Sequence, residues 1–182
     1  MKLLSPAKRA SRPITDRVKE SLFSILYKYD LPADAVVADL FCGVGSLGLE
    51  SLSRGARFVT FVEKDPKTAA TLEKNIAKAG FVQNAKVITT DAFRVAPAVG
   101  TGEDDYGLVF VDPPYADSMN VGADSPLAGL LDLWVNQMAA DAVAVVRTSK
   151  EVTLLGQYGT FRTEERREWG TMAVTILSKS KT

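Results

Sequence analysis

Asp112-Pro113-Pro114-Tyr115 directly follows the apolar run Leu108-Val-Phe-Val111. These four residue types suit one difficult reaction, attack by the exocyclic amine of a nucleobase on an electrophilic carbon. Such an amine is a poor nucleophile because its lone pair is delocalised into the ring, and acceptors placed on its two N–H bonds localise that pair. Asp112 offers a carboxylate oxygen. Pro113 offers a backbone carbonyl and has no N–H to compete. Pro114 biases Pro113 toward an extended conformation that helps aim this carbonyl, and Tyr115 carries a ring that can stack on the base. Taken alone, the tetrapeptide is also what a strand stopped by two prolines looks like. What precedes it in the chain weighs against that reading.

Asp39-Leu-Phe-Cys-Gly43-Val-Gly45-Ser-Leu-Gly48 contains a G-x-G-x-x-G turn, a pattern often found cradling a dinucleotide pyrophosphate. Glu63 lies 20 residues after Gly43, about where a ribose-binding acid belongs. The charges point elsewhere. Asp39, Glu63, Asp91 and Asp112 all fall at ends of strand-like runs. A ridge of carboxylates repels a pyrophosphate, which seeks bare N–H groups and helix N-termini. S-adenosylmethionine has no phosphate and carries a sulfonium and an ammonium, so an acidic ridge suits it. Any one of these acids, taken singly, reads as a surface carboxylate in a loop; four at corresponding positions do not.

Roles follow from that chemistry. Glu63 is expected to accept from ribose hydroxyls. Asp91 is expected to accept from the adenine amino group, with the Ala92 N–H on a ring nitrogen. Asp39 is placed under the ammonium, held directly or through water. Phe41 and Val62 are expected as apolar walls, and Lys64, beside Glu63, joins the same cofactor set. Gly43, Gly45 and Gly48 let the backbone approach closely and offer N–H donors to the methionine carboxylate. The expected reaction is an in-line displacement with the amine nitrogen, methyl carbon and sulfur nearly collinear, so orientation carries much of the catalysis. No metal is required.

The elements that must hold these residues alternate. Val18, Leu22, Ile25, Leu26 and Tyr29 recur at helical spacing, with Thr15 or Asp16 as a cap. Strands are predicted over Ala35–Phe41, Arg57–Val62, Ala85–Thr89, Leu108–Val111 and Ala142–Val146, and helices over Ser46–Ser53, Pro66–Ala79 and Leu127–Met138. Pro66 suits a first-turn position and Gly80 stands just past the end. Strands alternating with helices imply an α/β fold with a mostly parallel sheet. Val152–Leu155, Phe161–Arg166 and Met172–Leu177 read as shorter strands forming an antiparallel C-terminal edge. Ligands on such sheets bind at the carboxyl ends of the strands, where the acids and the Asp-Pro-Pro-Tyr stretch fall.

Composition narrows the choices. The chain has 182 residues, 46% hydrophobic and 24% charged, as expected of a globular domain of one core spanning 1–182. It has no histidine and a single cysteine, Cys42. Histidine-based nucleophilic catalysis, an intramolecular disulfide and a Cys-rich zinc site are therefore excluded. Cys42 reads as a small buried residue. No apolar run is long enough to span a bilayer, and the start of the chain lacks the apolar segment of a signal peptide. A cytoplasmic monomer is expected. The zero net charge hides an asymmetry: residues 1–19 hold six cations against Asp16 alone, a net +5, so the rest carries −5. Residues 1–14 read as a basic arm able to meet phosphate locally.

With these motifs in place the chain resembles the RsmD family, bacterial methyltransferases acting on guanine N2 of 16S ribosomal RNA. The resemblance is carried by Arg12-Pro-Ile-Thr-Asp-Arg-Val18 and the residues through Leu26, by Asp39 through Gly55, by Val62-Glu-Lys-Asp65, and by Leu108 through Tyr115. Arg167-Glu-Trp-Gly170 looks like the family's terminal R-x-Y-G, with Trp for Tyr. The resemblance implies a class I S-adenosylmethionine-dependent methyltransferase (Rossmann-like) fold with a seven-stranded sheet. It also implies a substrate of 16S rRNA within assembled or partly assembled small ribosomal subunits, and Arg12, Thr15 and Arg17 near the target nucleotide. The sequence departs from the family in three places. Met1–Ala10 barely matches the usual Gly-containing hairpin, Arg147-Thr148 stands where an acid–His pair is often found, and Asp117–Pro126 is longer and more polar.

Three other readings compete. The same tetrapeptide occurs in adenine-N6 DNA methyltransferases, and a related N-P-P-Y serves glutamine methylation, but 182 residues leave little room for a DNA-recognition domain. A non-catalytic RNA-binding module would not need an intact Asp112 to Tyr115. A nicotinamide-dependent dehydrogenase is disfavoured by the acidic ridge.

Overall fold

The computed structural model describes Leu4, residues 14–95 and residues 105–179. The elements run α1 (Asp16–Leu26), β1 (Val36–Leu40), α2 (Ser46–Ser53), β2 (Phe58–Glu63), α3 (Pro66–Ala79), β3 (Ala85–Thr89), β4 (Tyr106–Val111), α4 (Pro126–Val135), β5 (Met138–Ser149), β6 (Gln157–Tyr158), β7 (Phe161–Trp169) and β8 (Met172–Lys179). Local chemistry sets most helix boundaries. Thr15, Asp65 and Ser125 each turn a side-chain oxygen onto an N–H of the first turn of α1, α3 and α4. Pro66 and Pro126 sit in first turns, where their missing N–H costs nothing. Gly80 closes α3 at φ 81°.

The strands form one eight-stranded sheet in the order β3-β2-β1-β4-β5-β8-β7-β6. β1 to β5 are mutually parallel, and β8, β7 and β6 add antiparallel to the edge. The antiparallel C-terminal edge is as expected, but the strand count is eight rather than seven. The additional strand is the two-residue β6, which makes a hairpin with β7. Val152–Leu155 is irregular, not a strand; its alternating Val152 and Leu154 still face the core.

The sheet is covered on both faces, giving two apolar layers. Val37, Phe61, Phe110, Val145 and Val174 face α1, α2 and α3. Ala38, Leu40, Val109, Val111, Ala144 and Val146 face α4. Side chains alternate along a strand, so the next residue on the α1–α3 side of each parallel strand is Asp39 after Val37, Glu63 after Phe61, Asp112 after Phe110 and Arg147 after Val145. Four ionisable side chains thus continue one apolar layer at the carboxyl end of the sheet.

Candidate functional site

The Gly-rich turn connects β1 to α2 through backbone conformations that glycine favours. Phe41, Gly43 and Gly45 have φ of 60°, 55° and 86°. The Cys42 N–H reaches across to the Val62 carbonyl at 3.1 Å and ties the turn to β2. α2 starts from Gly45, which has no side chain to cap it. The cap comes from β1 instead: Asp39 Oδ2 accepts from the Gly48 N–H at 2.8 Å. A Cβ on Gly48 would sit 2.2 Å from Phe61 Cε1 and 2.9 Å from Val59 Cγ1, so this glycine lets α2 lie close on β2. A Cβ on Gly43 would meet nothing within 4 Å. Gly48 is thus a packing residue, and Gly43 faces open space beside Glu63.

Glu63, at the end of β2, accepts from the Gly43 N–H through Oε2 at 3.0 Å and from the Asp65 N–H through Oε1 at 2.9 Å. These bonds fix the carboxylate's orientation while each oxygen retains a second lone pair. Lys64 is exposed on the turn between β2 and α3. Val62 is buried in the α4-side core. After β3, Asp91 accepts from the Phe93 N–H at 3.1 Å and starts a single 3-10 turn, Ala92–Arg94, in which Ala92 is buried. Phe93 meets Phe41 edge to face at 4.9 Å between centroids, closing an aromatic corner between the first and third strand ends.

Electrostatics bind the acids into one group. Asp39 is 1% exposed. Burial pushes its carboxyl up to about 7 against the opposing pull of the Gly48 N–H, and the charges of Asp112 and Glu63 push it further the same way. Desolvation disfavours the charged form, and like charges add to that effect. The site therefore holds a carboxylate that gains from a cationic neighbour. Burial also carries the Cys42 thiol well above its usual range, so it is not a thiolate nucleophile at neutral pH.

Asp112 follows β4, its N–H directed at the Leu40 carbonyl of β1 at 3.4 Å. Its Oδ1 accepts from Arg147 Nε at 2.5 Å. The pairing register makes them neighbours: Val111 lies opposite Val146, one residue before each. Burial raises the Asp112 carboxyl, and the Arg147 guanidinium offsets only part of that rise, so the group stays above its usual range. Pro113 is buried and Pro114 exposed. Tyr115, 37% exposed, opens the 3-10 turn Tyr115–Ser118.

The structure thus brings Asp39, Glu63, Gly43 and Asp112 together, with Asp91, Ala92 and Phe41 forming the neighbouring corner. Thr15 caps α1, and Arg17 is exposed on its first turn. α1 runs alongside α2 in the same direction, with Lys19 on Glu50 at 3.1 Å and Tyr27 accepting from Arg54 at 2.8 Å. The N-terminus of α1 therefore lies at the carboxyl end of the sheet. Arg12 and most of the basic arm fall outside the described residues. Among the described residues no cluster of metal-ligating side chains occurs, and no helix is long and apolar enough to cross a membrane.

Two residues of the site escape sequence reasoning. Arg147 stands out only as a departure from a family pattern, and nothing local shows that it meets a residue 35 positions away. Asn75, inside α3, is fully buried. Its Nδ2 donates to the Val44 carbonyl of the Gly-rich turn at 3.1 Å, and its Oδ1 accepts from the Leu4 N–H at 2.8 Å. An Asn on the apolar face of an otherwise regular helix is the signal that could have found it.

The family described as conserved hypothetical protein 95 matches residues 1–178 of this chain. The chain belongs to this family, the RsmD type. A member from Bacillus subtilis (strain 168), YlbH, named as a candidate rRNA methyltransferase, is 31% identical over 177 residues, covering 97% of this chain and 92% of that protein. Ribosomal RNA small subunit methyltransferase D of Escherichia coli (strain K12) is 42% identical over 116 residues, which span 63% of this chain and 54% of that protein. Among solved structures, the candidate methyltransferase yhhF from Escherichia coli superposes with a TM-score of 0.79 at 28% identity, covering 100% of this chain and 93% of the other. A conserved hypothetical protein of Streptococcus pyogenes gives 0.75 at 28% identity, covering 90% and 96%. The RsmD-type chain has the class I methyltransferase fold, and its candidate site lies at the carboxyl ends of the sheet's parallel strands, where open α/β sheets bind ligands.

Proposed function

We propose that this chain transfers a methyl group from S-adenosylmethionine to the exocyclic N2 of a guanine in 16S rRNA, presented on an assembled or partly assembled small ribosomal subunit. Family membership supports methyl transfer to ribosomal RNA. The observation that carries the cofactor reading is the buried Asp39, pushed up to about 7 beside two further acids. An acid group built this way favours a ligand bearing ammonium and sulfonium charge and disfavours a pyrophosphate. When bound, S-adenosylmethionine supplies a methyl group made electrophilic by its sulfonium.

The chain's own residues do the rest. Asp39 holds the ammonium, Glu63 the ribose hydroxyls, and Asp91 with the Ala92 N–H the adenine edge. Phe41 and Phe93 supply the apolar corner, Gly43, Gly45 and Gly48 shape the turn under the methionine moiety, and Lys64 borders the ribose end. Asp112 and the Pro113 carbonyl accept from the two N–H bonds of the target amine, with Pro114 fixing the backbone and the ring of the exposed Tyr115 stacking on the base. Arg12, Thr15 and Arg17, at or before the N-terminus of α1, meet the RNA around it. The choice of guanine N2 rests on the Arg12–Val18 segment together with the family.

Small subunits from a strain lacking the gene, incubated with the purified protein and labelled S-adenosylmethionine, test this reading. The expected product is N2-methylguanosine in 16S rRNA. No label in the RNA, or label only in duplex DNA added as a competing acceptor, counts against it.

A further inference from the structure

Arg147 lies on β5 between β4 and β8, with its side chain 8% exposed. No residue of the Asp-Pro-Pro-Tyr stretch requires a cation there, and a buried guanidinium is costly unless paired. Its Nε meets Asp112 Oδ1 at 2.5 Å, so one oxygen of the carboxylate assigned to the target amine is already engaged. We propose that Arg147 is a positioning residue for methyl transfer, which holds Asp112 ionised through Oδ1 and leaves Oδ2 to accept from the substrate amine. This deepens the proposed reaction and rests on it.

The need for such a residue follows from what surrounds Asp112. On β1 stands Asp39, whose carboxyl the Asp112 charge pushes up, and beyond it on β2 stands Glu63. On β5 stands Arg147. Burial favours protonation of Asp112, and a protonated carboxyl donates through one oxygen instead of accepting through both. Arg147 is the charge that acts in the other direction. A guanidinium donating along a fixed Nε–H also fixes the plane of the carboxylate, which an isolated charge would not do. β4 and β5 keep both in place, because they pair in parallel register up to Val111 and Val146 immediately before them.

The alternative is that Arg147 only occupies Asp112 and must leave before the amine can bind. The two differ in sign. Arg147→Gln and Arg147→Lys would be compared with the parent chain on small subunits, with the Asp112 carboxyl pKa read by carbon NMR in the cofactor-free protein. Arg147→Gln is expected to lower kcat at least tenfold with KM for the subunit and Kd for S-adenosylhomocysteine within about twofold. It should also raise the Asp112 pKa and move the acid limb of the kcat profile to higher pH. Arg147→Lys, which keeps the charge and loses the planar donor, is expected to keep the acid limb while losing several-fold in kcat. An unchanged or increased kcat in Arg147→Gln, or an unshifted Asp112 pKa, overturns the inference. If Arg147→Gln does not fold, Arg147→Lys decides: wild-type kcat overturns the inference, and a fall in kcat at constant KM and Kd supports it. A parent chain that methylates nothing refutes the proposed reaction instead, while the NMR titration still reports on the pair.

Discussion

Asp39→Asn separates the two things Asp39 does. In the folded chain the carboxyl is pushed from 3.8 to about 7. A shift of about 3 units corresponds to about 4 kcal/mol, at 1.36 kcal/mol per unit. The native state holds the Asp39 proton across the window between these values while the unfolded chain does not, so stability falls as pH rises from about 4 to 7 and the full penalty applies above it. An Asn at this position still accepts from the Gly48 N–H but removes the buried charge. The weaker cap costs about 1 kcal/mol, and the buried amide N–H₂ costs about 1 kcal/mol more. The net gain is about 2 kcal/mol at pH 8, or roughly 4–8 °C in Tm for a domain of this size. Calorimetry of the cofactor-free protein at pH 4 and pH 8 measures it. Because Asn does not titrate, the two pH values should differ by about 4 kcal/mol, with the variant about 2 kcal/mol less stable than the parent at pH 4 and about 2 kcal/mol more stable at pH 8, and S-adenosylhomocysteine binding should fall at least tenfold. A variant less stable than the parent at pH 8, or a gain equal at both pH values, refutes the reasoning that Asp39 is a charge buried for a cationic ligand.

Further outcomes follow from the same geometry. Affinity of the parent chain for S-adenosylhomocysteine should weaken as pH falls through about 7, approaching tenfold per unit, because the ammonium needs Asp39 ionised; titration calorimetry across pH 5.5–8.5, taken as roughly the window around that value, reads it. Gly48→Ala places a methyl against Phe61 and Val59 and should cost about 1–3 kcal/mol, read as a lower denaturation midpoint with reduced cofactor binding. Asp112→Asn should lower kcat by about 10²–10³ with Kd for S-adenosylhomocysteine nearly unchanged, read in single-turnover methylation. Thr15→Ala removes the α1 cap and should cost about 1 kcal/mol, read by chemical denaturation.

Parts of the fold that obey local rules are legible in the amino-acid sequence. α3 and β3 have the bounds their residues predict, because Pro66 and Gly80 punctuate the helix and a short turn precedes the strand. The ends of β2 and β4 are legible because each apolar run meets an acid, Glu63 or Asp112. β5 is not: its residues predict a strand over Ala142–Val146, yet it runs Met138–Ser149. Arg147 and Thr148 read as polar and are buried because β4 and β8 flank them, a tertiary cause that no periodicity carries. β6 leaves no trace because two residues make no pattern, and its pairing depends on the hairpin with β7. Residue chemistry places Asp39 at the ligand's ammonium, but its bond to the Gly48 N–H, nine residues on, requires the turn already folded. The Asp112–Arg147 pair is hidden for a similar reason, being set by strand register.

Titration calorimetry at pH 8 with S-adenosylhomocysteine and with NAD, in separate experiments on the same protein, tests the central claim most directly. A saturable one-to-one isotherm with S-adenosylhomocysteine and no measurable heat with NAD is the expected result. Binding of NAD as tight as that of S-adenosylhomocysteine would contradict the reading of the acid row as a cradle for a phosphate-free, cationic methyl donor.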